Sequence, residues 1–235
     1  MVTTFADALA AELRREPGRP LVTWYDEGTG ERVELSVTTY ANWVAKAASL
    51  LVDEHDLERG DVLLVDLPTH WLGPVFLGAA WTAGLAVAFP SSGADPTAVV
   101  CGPAGLATWA VRADDLPVLA CSLLPMGVRF AEPLPQGVHD VGVEVWGRPD
   151  AFTPYDPPSG VDVALVDGPR TQDELFESPT AGARLLSTAN PASPAGVVAL
   201  SRALVTSGSL VLVTGAGPAR LDAIAETERV TGRFG

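Results

Sequence analysis

Gly60-Asp61-Val62-Leu63-Leu64-Val65-Asp66-Leu67-Pro68, in the middle of residues 40–90, decides the fold class. The run after Asp61 is short, largely apolar and closed by turn residues on both sides, which predicts a strand buried on both faces. Upstream, Tyr40, Trp43, Val44, Ala47, Leu50 and Leu51 recur at three- and four-residue spacing, so an amphipathic helix precedes the strand, capped by Thr38 or Thr39. Downstream, the stretch from about His70 to Ala83 is apolar nearly all round (Leu72, Val75, Phe76, Ala79, Ala80, Trp81), as in a helix enclosed by other elements. Gly84 ends it, and Leu85-Ala86-Val87-Ala88-Phe89 forms a second inner strand before Pro90. Strand, helix and strand in this order predict a right-handed parallel βαβ crossover.

Working outward, Phe5, Ala8, Leu9 and Leu13 share one helical face that Gly18 and Pro20 terminate. Leu21-Val22-Thr23-Trp24-Tyr25 and Arg32-Val33-Glu34-Leu35 flank a Gly-rich turn and read as a hairpin. Residues 91–160 break into short pieces at 97–101 and 107–111, a strand at 118–121 and a Pro-rich run near Phe130, where strands and short helices are expected and Pro96 is a candidate helix start. Pro154-Tyr155-Asp156-Pro157-Pro158-Ser159-Gly160 suggests a boundary between a first α/β subdomain, residues 1–160, and a second at 161–235. The second stretch repeats the element order of the first, with strands at 163–166, 185–188 and 210–213 and helices at 171–175, 195–206 and from Pro218. An internal repeat and the general likeness of any two βαβ units both account for this.

The 235 residues contain 15 basic and 29 acidic side chains, a net charge of -14 that repels nucleic acid and anionic lipid. At 47% hydrophobic content the chain can bury a substantial core without staples. Cys101 and Cys121 have no Cys or His partners at metal-ligand spacing and read as buried reduced thiols. No apolar run approaches the roughly 20 residues of a membrane span, and Met1-Val2-Thr3-Thr4-Phe5-Ala6-Asp7 lacks a signal-peptide pattern, so the expected location is cytoplasmic.

Thr39-Tyr40, Gly60-Asp61-Val62, Leu67-Pro68 and Leu77-Gly78-Ala79-Ala80-Trp81-Thr82-Ala83-Gly84 together resemble the N-terminal region of adenylate-forming enzymes. That superfamily comprises AMP-dependent acyl-CoA synthetases, peptide-synthetase adenylation domains and luciferases. Ile224-Ala225-Glu226 and Arg229-Val230-Thr231 are similar to the family's helix before its Arg-Val-Thr segment. More narrowly, the chain looks like a short, acidic adenylate-forming-like group. The resemblance implies an α/β fold of two subdomains, with mostly parallel sheets and helices on both faces. It also implies ATP or AMP with magnesium as cofactors and an AMP-forming acid-activating ligase, if the protein is an enzyme.

Family members bind ATP through a Ser/Thr/Gly-rich loop ending in Pro-Lys-Gly, after the strand that residues 163–166 represent. Here that place reads Asp167-Gly168-Pro169-Arg170-Thr171-Gln172-Asp173-Glu174. A carboxylate about 6 Å from a phosphate charge costs about 0.7 kcal/mol in water and about 3 kcal/mol at an effective dielectric of 20. Arg170 alone does not offset Asp167, Asp173 and Glu174, so triphosphate binding there is disfavoured. The family's Tyr-Gly-x-Thr-Glu motif, ribose-binding Asp segment and C-terminal catalytic Lys have no counterpart in the sequence. Thr206-Ser207-Gly208-Ser209 imitates the start of the missing loop but sits where a helix ends before a strand.

Thr214-Gly215-Ala216-Gly217 lacks the third Gly of a dinucleotide loop, Arg220 standing in its place, and reads as a strand-to-helix turn. His55, His70 and His139 are far apart in sequence, and only His70 stands at a strand-to-helix junction. Asp114-Asp115 reads as a solvated turn, and the tryptophans as core or interface residues. No catalytic or metal-ligating residue is expected. Binding candidates are Asp66, Thr69, His70, Ser91, Ser187 and Asn190, which should gather beyond the strand C-termini. Gly168, Arg170 and Thr171 join them from the short loop. The leading expectation is a protein without adenylation activity that acts in binding or assembly, with a protein partner, a second copy or a small-molecule ligand. Two alternatives stand beside it: a subunit of a split acyl-activating ligase, and a non-catalytic binder of a nucleotide or acyl ligand.

Overall fold

A computed structural model of the chain describes residues 4–168, 170–177 and 182–234. The first three residues of the N-terminal stretch and Pro169 of the short loop therefore lie outside the described residues. The first helix, α1 (Phe5–Arg15), starts on Thr4, whose hydroxyl accepts from the Asp7 N–H at 3.1 Å. Next come β1 (Pro20–Asp26) and β2 (Glu31–Ser36), paired antiparallel as the sequence predicts. Helix α2 (Val37–Ser49) follows without a break. Its cap is Ser36 rather than Thr38 or Thr39: the Ser36 hydroxyl accepts from the Thr39 N–H at 3.1 Å, because the last residue of β2 is already extended there. A π-helical turn, Leu50–Glu54, carries α2 towards His55.

The central βαβ unit is β3 (Val62–Asp66), α3 (Leu72–Ala83) and β4 (Ala86–Ala88), with β3 and β4 parallel. Gly84 closes α3 in the left-handed region at φ 79°, which a glycine reaches without a Cβ penalty. Short elements follow: β5 (Ala98–Cys101), α4 (Leu106–Trp109), β6 (Val118–Ala120), β7 (Val138–Asp140) and α5 (Val141–Glu144). The chain then forms β8 (Val163–Leu165), β9 (Arg170–Thr171), α6 (Gln172–Phe176), β10 (Arg184–Ser187), α7 (Pro194–Val205), β11 (Ser209–Thr214), α8 (Pro218–Thr227) and β12 (Gly232–Phe234).

Two sheets result, ordered β12-β10-β11-β1-β2 and β7-β6-β5-β3-β4-β8-β9. Each is parallel except for one hairpin, β1 with β2 and β8 with β9. Strands from both sides of position 160 meet in both sheets: β1 pairs with β11, and β4 with β8. Alternation along the strands shows the layering. Leu63 and Val65 face the main core while Leu64 joins Val99, Cys101 and Val118 on the opposite face, towards Leu106 and Trp109 of α4. Likewise Leu210 and Leu212 point into the main core, whereas Val211 and Val213 meet Ile224 of α8. The main core holds residues of α1, α2, α3, α6 and α7, so those helices form a layer shared by the two sheets. Cys101 and Cys121 are buried free thiols, and burial pushes the Cys101 thiol up to about 12. Among the described residues no helix is long and apolar enough to cross a membrane.

Gly78 marks a tight crossing of α3 with α1 and α2. A Cβ there would lie 2.6 Å from the Tyr40 hydroxyl, 2.7 Å from Phe5 Cζ and 2.8 Å from Val44 Cγ2. These atoms belong to α1 and α2 and are packed rather than flexible. Gly78→Ala should therefore lower stability by about 1–3 kcal/mol through overpacking, read as a reduced urea midpoint at unchanged slope.

Candidate functional site

Strands of both sheets, β1 and β11 of one and β3 and β6 of the other, lead into one cavity of about 550 Å³. Trp24 and Asp26 at the end of β1, Thr214 at the end of β11, Pro68-Thr69-His70 after β3 and Leu123-Leu124-Pro125 after β6 border it. This is the place where open parallel sheets leave a crevice for ligands. A second cavity, also about 550 Å³, adjoins it through the shared walls Glu31 and Pro125. Trp43, Trp71, Trp146 and Met126 give the second cavity an apolar lining, with Lys46 and Asp150 at its margin. Trp43 makes edge contacts with both other indoles, at centroid distances of 5.0 Å to Trp71 and 5.4 Å to Trp146.

His70 lines the first cavity and Trp71 the second, and each carries a buried polar atom without a hydrogen-bond partner. His70 is 2% exposed, packed edge-on against Trp24 at 4.4 Å, and its Nδ1 accepts from the Leu72 N–H at 3.2 Å. A backbone amide only donates, so Nδ1 is bare and the proton of the neutral ring sits on Nε2. That Nε2–H, like the Trp71 Nε1–H, is buried without a hydrogen-bond partner. A buried unpaired donor costs about 1–3 kcal/mol. Two such donors on consecutive residues bordering adjoining cavities fit a ligand that brings acceptor oxygens.

Of the sequence candidates, Thr69 and His70 border the crevice. Asp66 is taken by the Trp109 indole N–H at 2.8 Å, and the Ser187 hydroxyl accepts from the Ala189 N–H at 3.1 Å. Asn190 donates to the Leu67 carbonyl at 2.8 Å and accepts from the Ala192 N–H at 3.0 Å, tying the segment after β10 to the end of β3. Ser91 is exposed on the turn Pro90–Ser92. Gly168 and Arg170 are exposed, and Thr171 donates its amide to Glu174 at 2.9 Å. Asp167 accepts from the Phe89 N–H at 3.1 Å. The loop carboxylates Asp167 and Glu174 are thus engaged in fixing local backbone. The aromatic wall is hidden in the sequence because Trp43 carries the period of a core helix position.

Burial pushes the His70 imidazole down to about 4 from its ordinary 6.5, against a smaller opposing pull from Asp26. Unfolding frees the ring to bind a proton between those values, so its contribution is complete above pH 6.5 and is lost as pH falls towards 4. The gap between 6.5 and about 4 corresponds to about 3 kcal/mol. Urea titrations from pH 7.5 to 4 should show this loss in the native protein. In His70→Phe the slope over that window should be shallower.

No protein-family model matches the chain. Among solved structures, an acyl-CoA synthetase of Brucella canis superposes with a TM-score of 0.77 at 17% identity, over 96% of this chain and 46% of its own length. An acetoacetyl-CoA synthetase of Streptomyces lividans gives 0.77 at 16% identity, over 98% of this chain and 42% of its own. For an amide bond synthetase of Marinactinospora thermotolerans the values are 0.67 and 16%, over 96% and 47%. The chain thus has the fold of the N-terminal portion of adenylate-forming enzymes and spans less than half the length of these three proteins. In sequence, it is 35% identical over 241 residues to a "TIGR03089 family protein" of Mycobacterium tuberculosis (strain ATCC 25618 / H37Rv), covering 97% of each chain. On that match the chain belongs to the TIGR03089 family.

Proposed function

We propose that this protein binds a small acyl or aromatic ligand carrying a carbonyl or carboxylate, without adenylating it. The observation that carries the reading is the pair of unpartnered donors, His70 Nε2–H and Trp71 Nε1–H, bordering two adjoining cavities. The combined space suits a drug-sized molecule, and the indoles of Trp43, Trp71 and Trp146, set edge to face, supply apolar walls. The short loop after β8 supports the non-adenylating part, since Asp167 accepts from the Phe89 amide, Glu174 from that of Thr171, and Arg170 is the loop's one cation. An acyl ligand also agrees with the acyl-CoA synthetases whose fold the chain shares.

ATP–pyrophosphate exchange across a panel of carboxylic acids should give no turnover, and robust exchange would overturn the non-adenylating reading. Aromatic and medium-chain carboxylic acids or their CoA thioesters should quench indole fluorescence saturably. Trp71→Phe, which keeps a ring and removes the N–H, should weaken that binding about 3- to 10-fold. Absence of quenching at millimolar ligand would sink the binding claim.

A second reading, a subunit of a split acyl-activating ligase, is favoured by the coverage of less than half of each solved enzyme. It predicts that affinity purification from the native host recovers a chain carrying Pro-Lys-Gly and a catalytic lysine, and that exchange activity appears only when the two are mixed. Purification that yields no such chain would count against it.

A further inference from the structure

Two of the three histidines, remote in sequence, converge on one carboxylate. His55 follows the π-helical turn after α2, His139 is the middle residue of the edge strand β7, and Glu144 ends α5. His55 Nε2 lies 3.3 Å from Glu144 Oε2, and His139 Nδ1 lies 3.0 Å from Glu144 Oε1. One ligand atom from each of the three residues falls within 4.8 Å of the others. The imidazoles meet edge to face at 4.4 Å.

We propose that His55, His139 and Glu144 form a binding site for a divalent transition metal, zinc by preference. Two ligands at about 2.0–2.1 Å from a tetrahedral zinc stand about 3.3 Å apart; each imidazole lies at 3.0 or 3.3 Å from one of the two Glu144 oxygens, and one ligand atom from each residue lies within 4.8 Å of the others, so a small inward shift reaches that spacing. Two imidazoles and one carboxylate suit zinc and its neighbours, whereas magnesium and calcium take oxygen ligands. Three protein ligands leave a fourth position for water. Exposure grades across the cluster, with side chains 4% exposed at His55, 24% at Glu144 and 39% at His139, giving a rigid anchor and an entry side.

The site has a structural consequence. The metal would join the end of α2 to the edge strand β7 and to the segment that leads from Glu144 to Trp146 in the wall of the aromatic cavity. Occupancy should therefore stabilise the fold and change the indole fluorescence.

Three measurements test this. Cobalt titrated into the whole protein should produce visible d–d bands saturating at one equivalent and abolished by zinc. Zinc at about 100 times its Kd should raise Tm by about 5–10 °C, while magnesium leaves it unchanged. His139→Ala and Glu144→Gln should each weaken zinc binding by more than about 100-fold, with far-UV circular dichroism unchanged. Failure of the native protein to give cobalt bands and a zinc-dependent Tm rise overturns the proposal without recourse to variants. So does undiminished binding in both variants, which would leave the cluster as a hydrogen-bonded His–Glu–His group.

Discussion

All-round burial of α3 is the constraint on which the rest of the structure depends. Every residue from Leu72 to Ala83 is buried apart from the half-buried Thr82, whose hydroxyl bonds back to the Gly78 carbonyl at 2.7 Å. A helix without a polar face must be enclosed by partners, and here they are α1 and α2 beside it and the β3–β4 pair against it. Its few polar outlets are met by remote segments. The Trp81 indole donates to the Ala164 carbonyl of β8 at 2.8 Å. Gln172 at the start of α6, fully buried, donates to the Trp81 carbonyl and accepts from the Phe5 N–H, both at 2.9 Å. One amide side chain therefore links α1, α3 and α6, and an apolar residue of the same size would orphan both partners. Because His70 and Trp71 immediately precede α3, the fixed helix also fixes the two donors at the cavities.

Charge serves a different purpose. The net charge of -14 is carried mainly at the surface, yet several largely buried acids hold remote parts of the chain together. Glu12 of α1, 4% exposed, receives Arg19 at 2.7 Å and the Ser207 hydroxyl at 2.8 Å, which ties α1 to the turn before β11. Glu228 after α8 gathers Arg184, Arg32 and the Tyr25 hydroxyl, spanning β10, β1 and β2. Arg59 grips Asp162 through two bonds of 2.7 Å and Asp156 through one of 3.0 Å, bringing the Pro-rich segment before β8 onto the βαβ unit. Removal of one partner from such a cluster leaves the other charge partly desolvated, so these acids act as staples.

The elements were legible in the sequence where one face differs from the other. The α1 and α2 stripes, the β1–β2 hairpin and the Gly84 stop all follow from local pattern. Partnering beyond the β1–β2 hairpin and the β3–β4 crossover does not: β1, β3, β5 and β11 are buried on both faces, which erases the period, and parallel pairing joins residues remote in sequence. Nothing local could show that β1 lies beside β11. The site was half legible for the same reason. His70 and Thr69 follow from the rule that ligands sit beyond strand C-termini. Ser187, Asn190 and Asp66 obey it too, but short polar side chains at strand ends satisfy nearby backbone or an indole first. Trp146 and the His55–His139 pair depend on contacts across the fold, which no spacing in the sequence encodes.

The segment 144–150 connects these features physically. Glu144 faces the two histidines, Trp146 packs on Trp43, the Arg148 side chain pairs with Glu54 while its carbonyl accepts from Lys46, and Asp150 returns to Lys46 at 3.1 Å. Alternate residues thus grip the π-helical turn, the indole wall and α2. Behind them, a Cβ on Gly142 would fall 2.4 Å from the Arg129 N and Val128 C atoms, so α5 lies flush on the strap at 128–129. A segment held from both sides cannot shift at one end without disturbing the other. The histidine cluster and the aromatic cavity are therefore joined by the seven residues 144–150, even though no side chain belongs to both.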